Sequence, residues 1–158
     1  MDGFSGKIIF EYDFINKPNY ISNKNQRDIP LILGVETIFR IKINGDLYFE
    51  EELALLELYK SLYRWKEKMN GNEIPEFHYY SVEHADYDDG SIISLMPFSD
   101  KARIKSFWGK PNIYNVFDVN YIVNEFLVLE RKMKEDIEKY FNVELKYFIK
   151  HIPYSLNS

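Results

Sequence analysis

The dipeptide Asn44-Gly45 constrains the fold more than any other feature of the chain. It ends an alternating run in which Thr37, Phe39, Ile41 and Ile43 stand against Ile38, Arg40 and Lys42. Both central residues of a type I′ turn need positive φ, which Asn and Gly accept at low cost, so the pair predicts a tight hairpin with a returning strand at residues 46–49. Two antiparallel strands with one apolar face need a cover. The same holds for residues 6–15, where Ile8, Phe10, Tyr12 and Phe14 share one side and Lys7, Ile9, Glu11 and Asp13 fall largely on the other.

Two helical patterns supply that cover. Residues 51–69 place Leu55, Tyr59, Leu62, Trp65 or Lys66, and Met69 on one stripe, with Glu57, Ser61, Arg64 and Lys68 on the opposite face. Glu50, Glu51 and Glu52 sit where a helix dipole favours anions, and Asn70-Gly71 closes the other end. A second helix is predicted over 119–141, with Asp118 as N-cap, Asn142 as terminator, and Ile122, Phe126, Leu129, Met133, Ile137 and Tyr140 facing inward. Its outer side is expected to carry Glu130 with Lys134 and Glu135 with Lys139.

The remaining segments read as strands and loops. Residues 16–28 are polar enough for a long loop; Pro30 then opens an element running through 31–43, with Gly34 marking a bulge. Between the helices, residues 76–83, 91–96 and 102–108 read as a three-strand meander, and 113–117 as a short further strand. Residues 145–152 alternate Leu145, Tyr147 and Ile149 with Lys146, Phe148 and Lys150, which suits a lysine-guarded edge strand. The expected architecture is α+β: one domain over 1–158, with a predominantly antiparallel sheet of about five to seven strands and two long amphipathic helices packed on it.

Composition narrows the function classes. Of 158 residues 46% are hydrophobic and 17% aromatic, too apolar for a disordered chain, and the absence of cysteine excludes disulfides, thiolate metal sites and a cysteine nucleophile. A formal net charge of -5 opposes nucleic acid and anionic membranes on average. Residues 1–5 lack a basic, apolar leader pattern and no apolar stretch is long enough to span a bilayer, so the expected location is cytoplasmic. No catalytic motif is assembled. The glycines make neither a phosphate-cradling loop nor a dinucleotide fingerprint, and His78, His84 and His151 show no metal-ligand or nucleophile spacing. No catalytic residue, cofactor or metal is assigned.

Three local clusters remain. In the run of residues 76–82, Phe77 and Tyr79 share one face and His78 and Tyr80 the other, so the second face is either covered or offered to a partner. The acidic stretch holding Glu83, His84, Asp86, Asp88 and Asp89 gathers oxygen ligands, but a calcium loop counted from Asp86 would place Ser91 and Pro97 where Gly and Glu are needed; a solvated turn fits better. Lys101, Arg103, Lys105 and Phe107 share a strand face near Trp108 and Lys110, a basic and aromatic stripe that could stack bases or simply offset the acidic surface; overall acidity favours the latter.

The element order resembles something further. The Asn-Gly hairpin, Leu62-Tyr63-Arg64-Trp65, the strand Phe77-His78-Tyr79-Tyr80-Ser81, the strand Ser91-Ile92-Ile93-Ser94-Leu95 and the C-terminal amphipathic helix are similar, over residues 35–141, to small Firmicutes proteins, some of them like immunity proteins of polymorphic toxins. That resemblance implies a cytoplasmic, non-enzymatic protein that binds and blocks a toxin; it rests on no defining motif and implies no binding residues. The residues themselves favour a protein-binding module using His78, Tyr80, Glu83, His84, Asp86, Asp88 and Asp89. The other reading is a small-molecule binder or enzyme with a Tyr/Trp-lined pocket between sheet and helices, Arg40 or Arg103 fixing an anion.

Overall fold

A computed structural model describes residues 6–69, 71, 73–81, 91–106 and 108–154. Strand β1 (Ile8–Phe14) pairs antiparallel with β2 (Glu36–Ile43), which pairs antiparallel with β3 (Asp46–Ala54). The predicted turn joins the last two, with φ of 53° at Asn44 and 87° at Gly45, the double positive φ that only such residues adopt readily. β2 shows the pure alternation of a half-covered strand, burying Thr37, Phe39, Ile41 and Ile43.

Before β2 the chain makes a short helix, α1 (Ile29–Leu33), where the sequence suggested that Pro30 began an extended element. Asp28 caps it by accepting the Leu31 N–H at 3.2 Å, and Pro30 sits in the first turn, where a missing N–H costs nothing. Gly34 is the residue that ends α1 and not a bulge: a Cβ there would collide with the Tyr20 hydroxyl. The bulge lies instead between Ile41 and Lys42, in the β2–β3 ladder.

Helix α2 (Leu55–Glu67) begins later than its acidic prelude suggested. Glu50, Glu51 and Glu52 extend β3 opposite Arg40, Phe39 and Ile38, so cross-strand pairing, not a helix dipole, accounts for them. The chain then turns at Ala54 straight into the helix and crosses the core, so the next strands start a separate sheet. That sheet is a meander of β4 (Phe77–Tyr79), β5 (Ile93–Phe98), β6 (Lys101–Lys105) and β7 (Val116–Asp118) in sequence order, every pair antiparallel. The class is α+β, with seven strands divided between sheets of three and four.

Helix α3 spans Val119–Phe141, and Asn142 at φ 55° provides the left-handed stop. Residues 145–152 form no edge strand. Leu145–Phe148 is a helical turn, α4, and the buried residues Leu145, Phe148 and Ile152 recur at spacings of three and four, a period hidden beneath the lysine alternation. Both sheets and both long helices share one core. Phe126 of α3 makes edge contacts with Phe10 of β1, Trp65 of α2 and Phe77 of β4, at centroid separations of 5.3, 5.8 and 5.4 Å. Among the described residues no helix is long and apolar enough to cross a membrane.

Candidate functional site

Among the described residues the core between the first sheet and the long helices is filled by side chains. Phe10, Phe39, Leu58, Leu62, Phe77 and Phe126 close on a residual cavity of about 10 Å³, too small for any organic ligand. Trp65 is part of that packing, its indole N–H donating to the Pro75 carbonyl at 2.9 Å. Arg40 fixes no anion there. It lies on the outer face of the first sheet, donating to Glu50 at 2.6 Å and Asp13 at 2.8 Å, and those carboxylates raise its pKa.

Two carboxylates assigned to solvent are buried instead. Glu130 is 2% exposed and accepts the Tyr59 hydroxyl at 2.8 Å and the Lys66 ammonium at 2.9 Å across the α2–α3 seam. Burial and that carboxylate push the Tyr59 phenol well above its ordinary value, so it stays a donor. Glu57, equally buried, accepts the Ser81 hydroxyl at 3.1 Å, and Ser61, also placed outward by periodicity, is buried with its hydroxyl on the Glu57 carbonyl. These pairs span 71, 64 and 24 residues of sequence, so helical periodicity could not reveal them. They hold α2 to its neighbours.

The face that remains is the outer surface of the second sheet. Phe77 and Tyr79 turn inward and are buried, which directs His78 and Tyr80 outward. The register carries the arrangement across the sheet: His78 stands opposite Ser94 and Ser94 opposite Lys105, while Met96 stands opposite Arg103 and Phe98 opposite Lys101. Two clusters that are separate in sequence, His78 with Tyr80 and the Lys101, Arg103, Lys105 stripe, are therefore parts of one face. Neither sequence cluster alone contained Met96 or Phe98; a strand period running through 94, 96 and 98 is the signal that finds them.

The face is held in place by specific bonds. The His78 ring stacks on Tyr80 at 5.8 Å and 19°, with Nδ1 3.0 Å from the Ser91 hydroxyl and Nε2 2.9 Å from Glu76. Partial burial, then Glu76, raises the Tyr80 pKa, keeping the phenol protonated. Phe98 is 47% exposed and lies beneath the Arg103 guanidinium at 5.9 Å, which also donates to Asn115 at 3.0 Å. Lys101 pairs with Asp118 and is held charged by it. Among the described residues Lys105 and Arg103 have no ion-pair partner.

Glu83, His84, Asp86, Asp88 and Asp89, with Phe107 of the basic stripe, lie outside the described residues. Trp108 is half-buried against the core. Among the described residues no three His, Asp or Glu gather as a metal-binding group. The face can do what aromatic, thioether and guanidinium groups do together, which is to bury apolar surface beside a fixed positive charge. Comparison with curated proteins and with solved structures finds no match. A family model does match, over residues 10–139, from within β1 to the last turn of α3. The chain belongs to the family described as "Domain of unknown function (DUF7878)".

Proposed function

We propose that the chain is a non-enzymatic protein-binding module whose docking surface is the outer face of the four-stranded sheet. The observation that carries this reading is the convergence of half-buried His78, Tyr80 and Met96 with exposed Phe98 and Arg103 on one face of the sheet. Aromatic rings, Met and Arg are the groups enriched where proteins bury surface against one another, and a ring under a guanidinium is a common anchor. Acidic contact is assigned to Glu83, His84, Asp86, Asp88 and Asp89, which follow Tyr80 closely in the chain. The specific form proposed is immunity-like: a cytoplasmic protein that binds and blocks a toxin, supported by the element order across residues 35–141.

Nucleic acid is the weaker reading of the same face. Asp118 neutralises one of its three cations, and a net charge of -5 repels a polyanion before contact. The test is calorimetric titration of the protein encoded by the adjacent reading frame against wild type and a His78→Ala, Phe98→Ala double variant. Hot-spot loss at such a face should weaken binding by about thirtyfold or more while the melting temperature holds. Unchanged affinity rejects the face. Retention on single-stranded RNA at low salt, abolished by Lys105→Glu but not by Phe98→Ala, would put nucleic acid in its place.

A further inference from the structure

Arg103, on β6, is held in place without an acid among the described residues. Its Nη1 donates to the Asn115 side-chain oxygen at 3.0 Å, and Asn115 is tied twice to Ile104: its amide nitrogen donates to the Ile104 carbonyl, and its backbone carbonyl accepts the Ile104 N–H at 3.0 Å. The buried Tyr48 phenol lies against Asn115 and within reach of the Arg103 charge. The guanidinium is therefore positioned before any ligand arrives, and less side-chain freedom is left to lose on binding.

What surrounds it is apolar. The ladder sets Met96 on one side of Arg103 and Val116 on the other, Phe98 lies under the guanidinium at 5.9 Å, and Tyr114, 59% exposed, lies near Lys101. Nη1 is engaged by Asn115, while Nε and Nη2 have no hydrogen-bond partner among the described residues. Those two nitrogens donate side by side, at the spacing of the two oxygens of one carboxylate. In apolar surroundings such a pair is stronger than in open water.

We propose that this edge of Arg103 receives a carboxylate of the protein partner, and that an apolar side chain next to that carboxylate covers Phe98. The inference rests on the outer face of the second sheet being the docking surface, and it names the chemistry the partner brings there. Charge complementarity selects the carboxylate. Asp100 and Asp118 both act on Lys101, which leaves Arg103 and Lys105 as unneutralised cations on a chain whose net charge is -5. A basic partner would be drawn to the acidic remainder of the surface and would leave the Arg103 fork empty. A doubly charged phosphate also fits a guanidinium, but it meets the repulsion of the acidic chain with twice the charge.

A random peptide library displayed on phage and selected against the full chain tests this. The expected yield is peptides with Asp or Glu beside a bulky apolar residue. Their binding should fall at least about tenfold when that acid is replaced by its amide, and by as much on Arg103→Lys, which keeps the charge but removes the fork. Amidation of the peptide C-terminus separates a terminal carboxylate from a side-chain one. Peptides that Phe98→Ala weakens but that carry no acid, or that bind Arg103→Lys as well as wild type, overturn the carboxylate and leave the docking face standing. A selection that yields no peptide sensitive to either substitution overturns both. A wild-type dimer in sedimentation that Arg103→Lys disperses would give the fork to a second copy of this chain, and overturns a separate partner.

Discussion

The two sheets of this protein meet the same core but present opposite outer faces. On the first, Arg40 lies between Asp13 and Glu50, and Lys42 pairs with Glu11, so each cation of β2 is matched by acids on its neighbouring strands. On the second, Asp118 answers Lys101, while Arg103 rests on Phe98 and an amide and Lys105 carries its charge to solvent. A face whose charges are internally satisfied has little left for a partner; one with exposed rings and an unneutralised guanidinium does. The difference locates the proposed docking surface without any catalytic motif to guide it.

The comparison assumes that both faces are surfaces of one folding unit. Phe126 touches rings from β1, α2 and β4, so Phe126→Ala should cost about 3–5 kcal/mol and lower both sheets' stability in a single cooperative transition. Two transitions in calorimetry, with β1 and β4 amides losing protection separately, would break it into a comparison of independent parts.

A smaller effect sharpens the contrast directly. Arg40→Ala and Arg103→Ala each remove a guanidinium from an inner strand, one in each sheet. The first should lower the melting temperature, most at low salt, and leave partner affinity as it was; the second should weaken partner binding with little change in melting temperature. Matching effects from both substitutions would remove the distinction between the faces.

Much of the fold was readable because its signals are local. Asn44-Gly45 set a turn by backbone freedom, and the inward stripe from Ile122 to Ile137 gave α3 with its stop at Asn142. Where a local pattern and a tertiary demand competed, the pattern misled: the lysine alternation at 146 and 150 concealed the helical burial of Leu145, Phe148 and Ile152. Glu130 and Glu57 read as surface because their partners, Tyr59, Lys66 and Ser81, come from other elements. The candidate face was half legible. Each strand announced which side chains share a side, but only the register His78–Ser94–Lys105 makes two clusters into one surface.

The smallest expected effect concerns acid, and it guards the comparison against a false positive. His151, near the C-terminal end of the described chain, has its Nε2 buried with no hydrogen-bond partner among the described residues. That burial, with Arg27, Lys150 and Lys60 nearby, lowers its pKa from the ordinary 6.5. The native imidazole is therefore neutral where the unfolded one already takes a proton. As pH falls through 6.5 the unfolded state binds more protons, so stability present above that value is lost on acidification until the lower native pKa is passed. His151→Gln should flatten the fall in melting temperature between neutral pH and about pH 5, by a small margin set by one partly exposed group. If partner binding also weakens over that range, the variant separates two causes: a loss that persists in His151→Gln belongs to the docking face, and one that disappears with it belongs to the fold. A melting profile identical in wild type and variant would deny His151 any part in the acid response.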